Sequence, residues 1–162
     1  MAERVYIETT VVSYLVSEPS RDLIIAGHQQ ITREWWDHRR PEFECVVSQF
    51  VLDEAAGGDP RQAAKRMAVL RELRVVAITA AVETFADQLI RGGTVPAVAA
   101  SDAVHLAIAA VTALDYLITW NCRHIANGHV LKKLQRACAR AGYPMPIVCT
   151  VEELMGDNAN EP

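Results

Sequence analysis

The chain has 162 residues, of which 51% are hydrophobic, and a formal net charge of −4. That length suits one domain with a substantial core, and that apolar content excludes a largely disordered chain. An acidic total excludes capture of nucleic acid by bulk charge, so such a partner needs a local basic patch.

Arg4 to Glu8 is a short β-branched run and predicts the first strand. Thr9 or Thr10 can cap a short helix through Leu15. Glu18-Pro19-Ser20 reads as a turn, with Ser20 capping a long helix from Arg21 to about Arg39. Ile24, Ile31 and Trp35 mark its apolar face at helical spacing, and Pro41 stops it. Trp35 and Trp36 are adjacent, so both cannot face one core. The partly exposed one suits a dimer or partner surface, or simply lies flat over its neighbours.

Cys45 to Ser48 predicts the second strand, followed by a short helix that ends at Gly57-Gly58. Asp59-Pro60 restarts a helix, with Asp as N-cap and Pro in the first turn, running to about Leu73. Arg74 to Ile78 predicts the third strand, and Thr79 caps a helix through about Arg91. After Gly92-Gly93 and Pro96, a helix is expected from Ser101 to about Leu114. Tyr116 to Thr119 predicts the fourth strand, Asn121 to Ala126 a short helix, and His129 to Ala141 a longer one closed by Gly142. Ile147 to Cys149 predicts the fifth strand and Thr150 to Leu154 a last helical turn. Residues 1–154 read as a single domain and 155–162 as a flexible polar tail. Strands separated throughout by helices predict an α/β fold on a parallel sheet of about five strands.

The longest apolar region, Ala97 to Leu114, is interrupted by Asp102 and His105. It therefore reads as a buried helix and not a membrane span. Met-Ala-Glu-Arg at the start carries no apolar signal core, so a cytoplasmic protein is expected. Cys45, Cys122, Cys138 and Cys149 show no CxxC pairing, which predicts free thiols and argues against a zinc site.

Four side chains stand where strands end or helices begin: Glu8 after VYI, Glu54 in FVLDEAAGG, Asp102 in ASDAVHLAIA and Asn121 in YLITWN. In a parallel sheet the strand ends share one edge, and ligands bind there. Carboxylates gathered at about 4 Å cost roughly 4 kcal/mol per pair at an effective dielectric near 20. A divalent cation removes that cost. The pattern points to metal-dependent phosphoryl transfer. Each residue also has an ordinary reading. Glu8 can be a solvated strand-end charge and Glu54 a surface carboxylate. Asp102 can favour the dipole of its helix, and Asn121 can be an N-cap. His105, three residues past Asp102, can hold that carboxylate or be a core histidine. Thr9 and Thr119 can add hydroxyls to the same edge.

VYIETTVVSYL, VVSQFVLDEA, SDAVHLAIAA and YLITWNCRHIAN resemble, in order, the motif blocks of the PIN domain. The likeness is strongest to VapC-type toxins of type II toxin–antitoxin pairs, and it spans Val5 to about Val148. The resemblance implies a three-layer α/β/α sandwich, a Mg²⁺- or Mn²⁺-dependent endoribonuclease, a homodimer and a cognate antitoxin protein. Glu8, Glu54 and Asp102 fall on the family's metal-binding acids, and Asn121 on its fourth position. The chain departs from the pattern twice, with Glu8 and Asn121 each standing where Asp is usual. Glu8 reaches about 1.5 Å further than Asp, and Asn121 removes a charge. Those departures open the alternative of a catalytically impaired PIN-fold module that binds RNA or protein. Lys132, Arg136 and Arg140 recur every fourth residue, and with Arg123 they form a candidate RNA contact or a solvated face.

Overall fold

The computed structural model describes residues 1–156; most of the expected tail, 157–162, lies outside the described residues. The strands are β1 (Arg4–Ile7), β2 (Glu44–Ser48), β3 (Arg74–Val76), β4 (Tyr116–Ile118) and β5 (Ile147–Cys149). They form one sheet in the order β3-β2-β1-β4-β5, with every neighbouring pair parallel. Helices α1 (Thr9–Val16) and α2 (Leu23–His38) join β1 to β2, and α3 (Gln49–Ala55) and α4 (Pro60–Leu70) join β2 to β3. Helices α5 (Ala80–Arg91) and α6 (Ala100–Val111) lead back to β4, and α7 (Gly128–Ala141) leads to β5.

Crossovers between parallel strands are right-handed. The chain first steps from β1 towards β3 and later from β4 towards β5, in opposite directions across the sheet. The same handedness then places α1–α4 on one face and α5–α7 on the other. This is a three-layer α/β/α sandwich. It explains why the strands read as unbroken apolar runs, since both faces are covered. Val5, Tyr6 and Ile7 on the central strand and Ala103 and Leu106 to Ala110 on α6 are all buried. Each large aliphatic side chain so buried contributes about 1.5–3 kcal/mol.

Local signals place most boundaries. Asp59 caps α4 through the N–H groups of Arg61 and Gln62, and Thr79 caps α5 through Val82 N–H. Gly142 closes α7 at φ 78°, a left-handed conformation that favours glycine. The structure corrects four expectations. Glu8, not Thr9 or Thr10, caps α1, because its side chain accepts from Thr10 N–H. Asp22, not Ser20, caps α2, because the Ser20 hydroxyl accepts from Asp22 N–H while Ser20 N–H donates to Gln29. Ile24 is 71% exposed, since the first turn of α2 has no layer over it. Asn121 to Ala126 is a run of turns, not a helix. Ile125 N–H and Ala126 N–H both return to Asn121 O, which closes one turn, and Asn127 then starts α7 as its N-cap.

Trp35 is fully buried, donates from Nε1 to Leu154 O at 3.1 Å and stacks on Phe43. Trp36 is partly buried against the core with the Arg40 guanidinium 4.7 Å over its ring. It is a covered tryptophan, which matches the plainer of the two readings. All four cysteines are free, and burial pushes the Cys45 and Cys149 thiols up to about 11.

Candidate active site at the β1–β4 switch point

The chain turns one way from β1 to β2 and the other way from β3 to β4, so the switch in strand order falls between β1 and β4. The crevice beyond their carboxyl ends is where open α/β sheets bind ligands. Glu8 and Thr119 lie there, one residue past β1 and β4.

Glu8 is only 4% exposed. Its Oε2 accepts from Thr10 N–H at 3.0 Å, from Thr119 Oγ1 at 2.8 Å and from Thr10 Oγ1. Glu8 is therefore also the N-cap of α1. Hydrogen bonds to an ionised oxygen offset much of the desolvation cost that makes an apolar strand end a poor place for a carboxylate. Thr10 also accepts from Trp120 N–H at 2.9 Å, which ties the start of α1 to the end of β4.

Glu54, in the last turn of α3, has a side chain 32% exposed. Its Oε1 accepts from Thr9 Oγ1 at 2.6 Å and from His105 Nε2 at 2.7 Å. Burial alone would raise its pKa. The His105 and Thr9 contacts outweigh that and hold the carboxyl below its ordinary value of 4.5. His105 is thus the partner of Glu54 rather than of Asp102, because side chains from the two helical layers meet at the sheet edge, past Tyr6 of β1. On its other side, His105 Nδ1 lies 2.7 Å from the Tyr6 hydroxyl, which lies 2.9 Å from Ser48 Oγ. Burial pushes the Tyr6 phenol far up, only partly offset by Ser48, so it stays protonated. A carboxylate only accepts, so Nε2 carries the hydrogen. In the neutral ring Nδ1 then accepts from Tyr6. Donation then runs from Ser48 through Tyr6 and His105 to Glu54, which only accepts.

Asp102 lies in the first turn of α6 with a side chain 14% exposed. Its Oδ1 accepts from Asn121 Nδ2 at 3.0 Å, and its Oδ2 lies 3.2 Å from His124 Nδ1. Asn121 Oδ1 accepts from Arg123 and His124 N–H, so both ends of this amide are engaged within the chain. Asn121 positions Asp102 and caps the following turn. Thr119 receives Asn121 N–H at 2.9 Å, completing a line from Glu8 through Thr119 and Asn121 to Asp102.

The three acids form no Lys or Arg ion pair among the described residues; two of them face histidines. Glu8 Oε1 and Glu54 Oε2 accept no hydrogen bond from the described residues. Hard carboxylate oxygens with spare acceptor capacity suit Mg²⁺ or Mn²⁺. Among the described residues, no three His, Cys, Asp or Glu side chains stand close enough to hold an ion by direct bonds to all three. Glu8, Glu54 and Asp102 therefore share an edge without closing into one coordination sphere. Mg²⁺ commonly keeps several waters and takes only one or two carboxylates directly, so the donor set remains chemically suitable.

No protein-family model matches the chain, and no curated protein does. Solved structures do. VapC20 of Mycobacterium tuberculosis, described as a sarcin-ricin loop cleaving toxin, superposes with TM-score 0.57 at 16% identity, covering 86% of this chain and 96% of its own. A chain of VapBC2 from Rickettsia felis, bound to a DNA fragment from their promoter, gives TM-score 0.57 at 14% identity, covering 91% and 98%. The chain has the VapC fold. The PIN-type sandwich expected from the four sequence blocks is borne out at that level. Within this VapC fold, Tyr6, Ser48, Thr10 and His124 are additions to the site expected from sequence, and His105 belongs to it through Glu54 instead of Asp102. The sequence signal for Ser48 and Thr10 is a polar residue at a strand end or helix start.

Arg123, Lys132, Arg136 and Arg140 are all exposed. Arg136 and Arg140 line a groove with residues of α5, whereas Lys132 and Arg123 do not border it. No helix among the described residues is long and apolar enough to cross a membrane.

Proposed function

We propose that this chain is a metal-dependent endoribonuclease and the toxin of a type II toxin–antitoxin pair, acting in the cytoplasm as a homodimer. The observation that carries this reading is the arrival of Glu8, Glu54, Asp102 and Asn121, from four separate segments, at the switch-point edge of a VapC fold. Glu8, Glu54 and Asp102 would hold Mg²⁺ or Mn²⁺, in part through water. The bound ion would polarise the scissile phosphate and lower the pKa of a water. The chain's own residues do the positioning. Thr10 and Thr119 fix Glu8, Thr9 and His105 fix Glu54, and Asn121 and His124 fix Asp102. The lowered pKa of Glu54 keeps it ionised, which suits a ligand better than a general base. Arg123, Lys132, Arg136 and Arg140 would offset the acidic total along the RNA.

A second reading is a PIN-fold module that binds RNA or protein without cutting. It is favoured by the saturation of Glu8 Oε2 by internal donors and by the absence of a three-ligand group among the described residues. RNA incubated with Mn²⁺, with EDTA, and with E8Q, E54Q or D102N separates the two. The ribonuclease reading expects EDTA-sensitive cleavage that falls at least a hundredfold in each variant. Binding without cleavage supports the module.

A further inference from the structure

Away from the acidic edge, α5 and α7 border an open groove of about 800 Å³. Its walls carry Lys133, Arg136 and Arg140 on α7, Thr84 and Gln88 on α5, and Tyr143 beyond α7; no acidic residue lines it. The chain around it is unusual for an acidic protein. Between Asp115 and Glu152 there is no Asp or Glu, yet Arg123, Lys132, Lys133, Arg136 and Arg140 fall there. Among the described residues no carboxylate pairs with Arg136 or Arg140. Lys133 reaches across to Gly93 O at 3.2 Å, pinning one end of the groove to the loop that leads into α6. Helical spacing, not the run of every fourth residue, sets the lining. Lys133, Arg136 and Arg140 share the groove face, and Lys132 turns away from it.

We propose that this groove binds the sugar–phosphate backbone of single-stranded RNA, as a surface separate from the acidic edge. The choice of RNA rests on the ribonuclease reading; binding itself does not require cleavage. From Lys133 to Arg140 the cations span about 10 Å of helix, enough for consecutive phosphates rather than one point anion. The half-buried Tyr143 ring, packed 5.0 Å from Phe85, gives one end a face on which a base can stack. An acidic helical peptide fits less well. Such peptides dock through a row of large apolar anchors at helical spacing, and here Phe85 and Tyr143 are the large apolar-bodied side chains in the lining, with only Ala137 and Ala141 beside the arginines of α7.

The test is fluorescence anisotropy of the full chain in EDTA with a labelled oligouridylate of about twelve nucleotides, within the usual range of single-strand site sizes. R136Q/R140Q is compared with wild type and with R61Q/R71Q, which removes two exposed cations from the opposite helical layer. Melting curves confirm that all three fold alike. The groove predicts at least tenfold weaker binding for R136Q/R140Q alone. It also predicts a salt slope shallower by about 1.4, from about 0.7 per lost phosphate contact. Equal affinity in R136Q/R140Q and wild type overturns the proposal, as does no binding by wild type. Arginine-dependent binding of a polyglutamate peptide tighter than the RNA also overturns it, in favour of an acidic protein partner. RNA held in this way but left uncut with Mn²⁺ keeps the groove and removes the ribonuclease reading. RNA cut normally with unaltered affinity in R136Q/R140Q does the reverse.

Discussion

Tyr6→Phe removes one oxygen from the middle of the line that ends on Glu54. Tyr6 is fully buried, and its hydroxyl meets Ser48 Oγ at 2.9 Å and His105 Nδ1 at 2.7 Å. Ser48 Oγ still accepts from Val51 N–H at 3.2 Å in the variant, so the cap of α3 survives. What is lost is an acceptor for the Ser48 hydroxyl and a donor for His105 Nδ1. Each buried polar group left unpartnered costs about 1–3 kcal/mol. The missing oxygen adds little cavity, so the two groups together cost about 2–6 kcal/mol. At about 2–4 °C per kcal/mol for a domain of this size, the melting temperature should fall by roughly 4–24 °C. Urea and thermal unfolding of Y6F measure it, with Y143F at a half-exposed site as control. The control should stay within about 0.5 kcal/mol of wild type. Nitrogen-15 spectra of the imidazole should show hydrogen on Nε2 of His105 in wild type and a changed ring environment in Y6F. A Y6F protein as stable as wild type would refute the claim that the hydroxyl is held between two buried partners.

Thr9→Val removes the hydroxyl donor to Glu54 without adding a titratable group. The variant should lose about 1 kcal/mol at neutral pH. Because the folded pKa of Glu54 is lowered, that contribution is fully present above the ordinary value of 4.5 and is lost as pH falls through the folded value. The wild-type-minus-T9V gap in urea unfolding should therefore close with acidification; a gap that widens contradicts the assignment. Cys122 is exposed and the other three thiols are buried. Brief iodoacetamide treatment of the native protein should modify Cys122 first, and mass spectrometry that finds Cys45 or Cys149 modified first would contradict the packing of β2 and β5.

Much of the fold was legible because its signals are local. Asp59-Pro60, Thr79 and Gly142 each act within a few residues, and the β-branched runs name the strands. Depth along a helix is not local. Ile24 has the right phase for the buried face of α2 but lies where no neighbour covers it. Competition between caps is not local either: Ser20 was already engaged, so Asp22 took the role. At the site, the acids could be named because a charge closing an apolar strand is conspicuous. Their partners could not, because spacing on one helix suggested that His105 served Asp102. Only the meeting of side chains from the two helical layers at the sheet edge directs it to Glu54, past Tyr6 of β1, and only the turn after β4 brings His124 to Asp102.

The central claim is that Glu8, Glu54 and Asp102 form an edge negative enough to take up a divalent cation. Isothermal titration of folded wild-type protein with Mn²⁺ tests it most directly, with E8Q, E54Q and D102N as comparisons. The account predicts saturable uptake at or below millimolar Mn²⁺ in wild type and its loss or marked weakening in each variant. Wild-type protein that binds no Mn²⁺ at millimolar concentration, or variants that bind it as well as wild type, would contradict it.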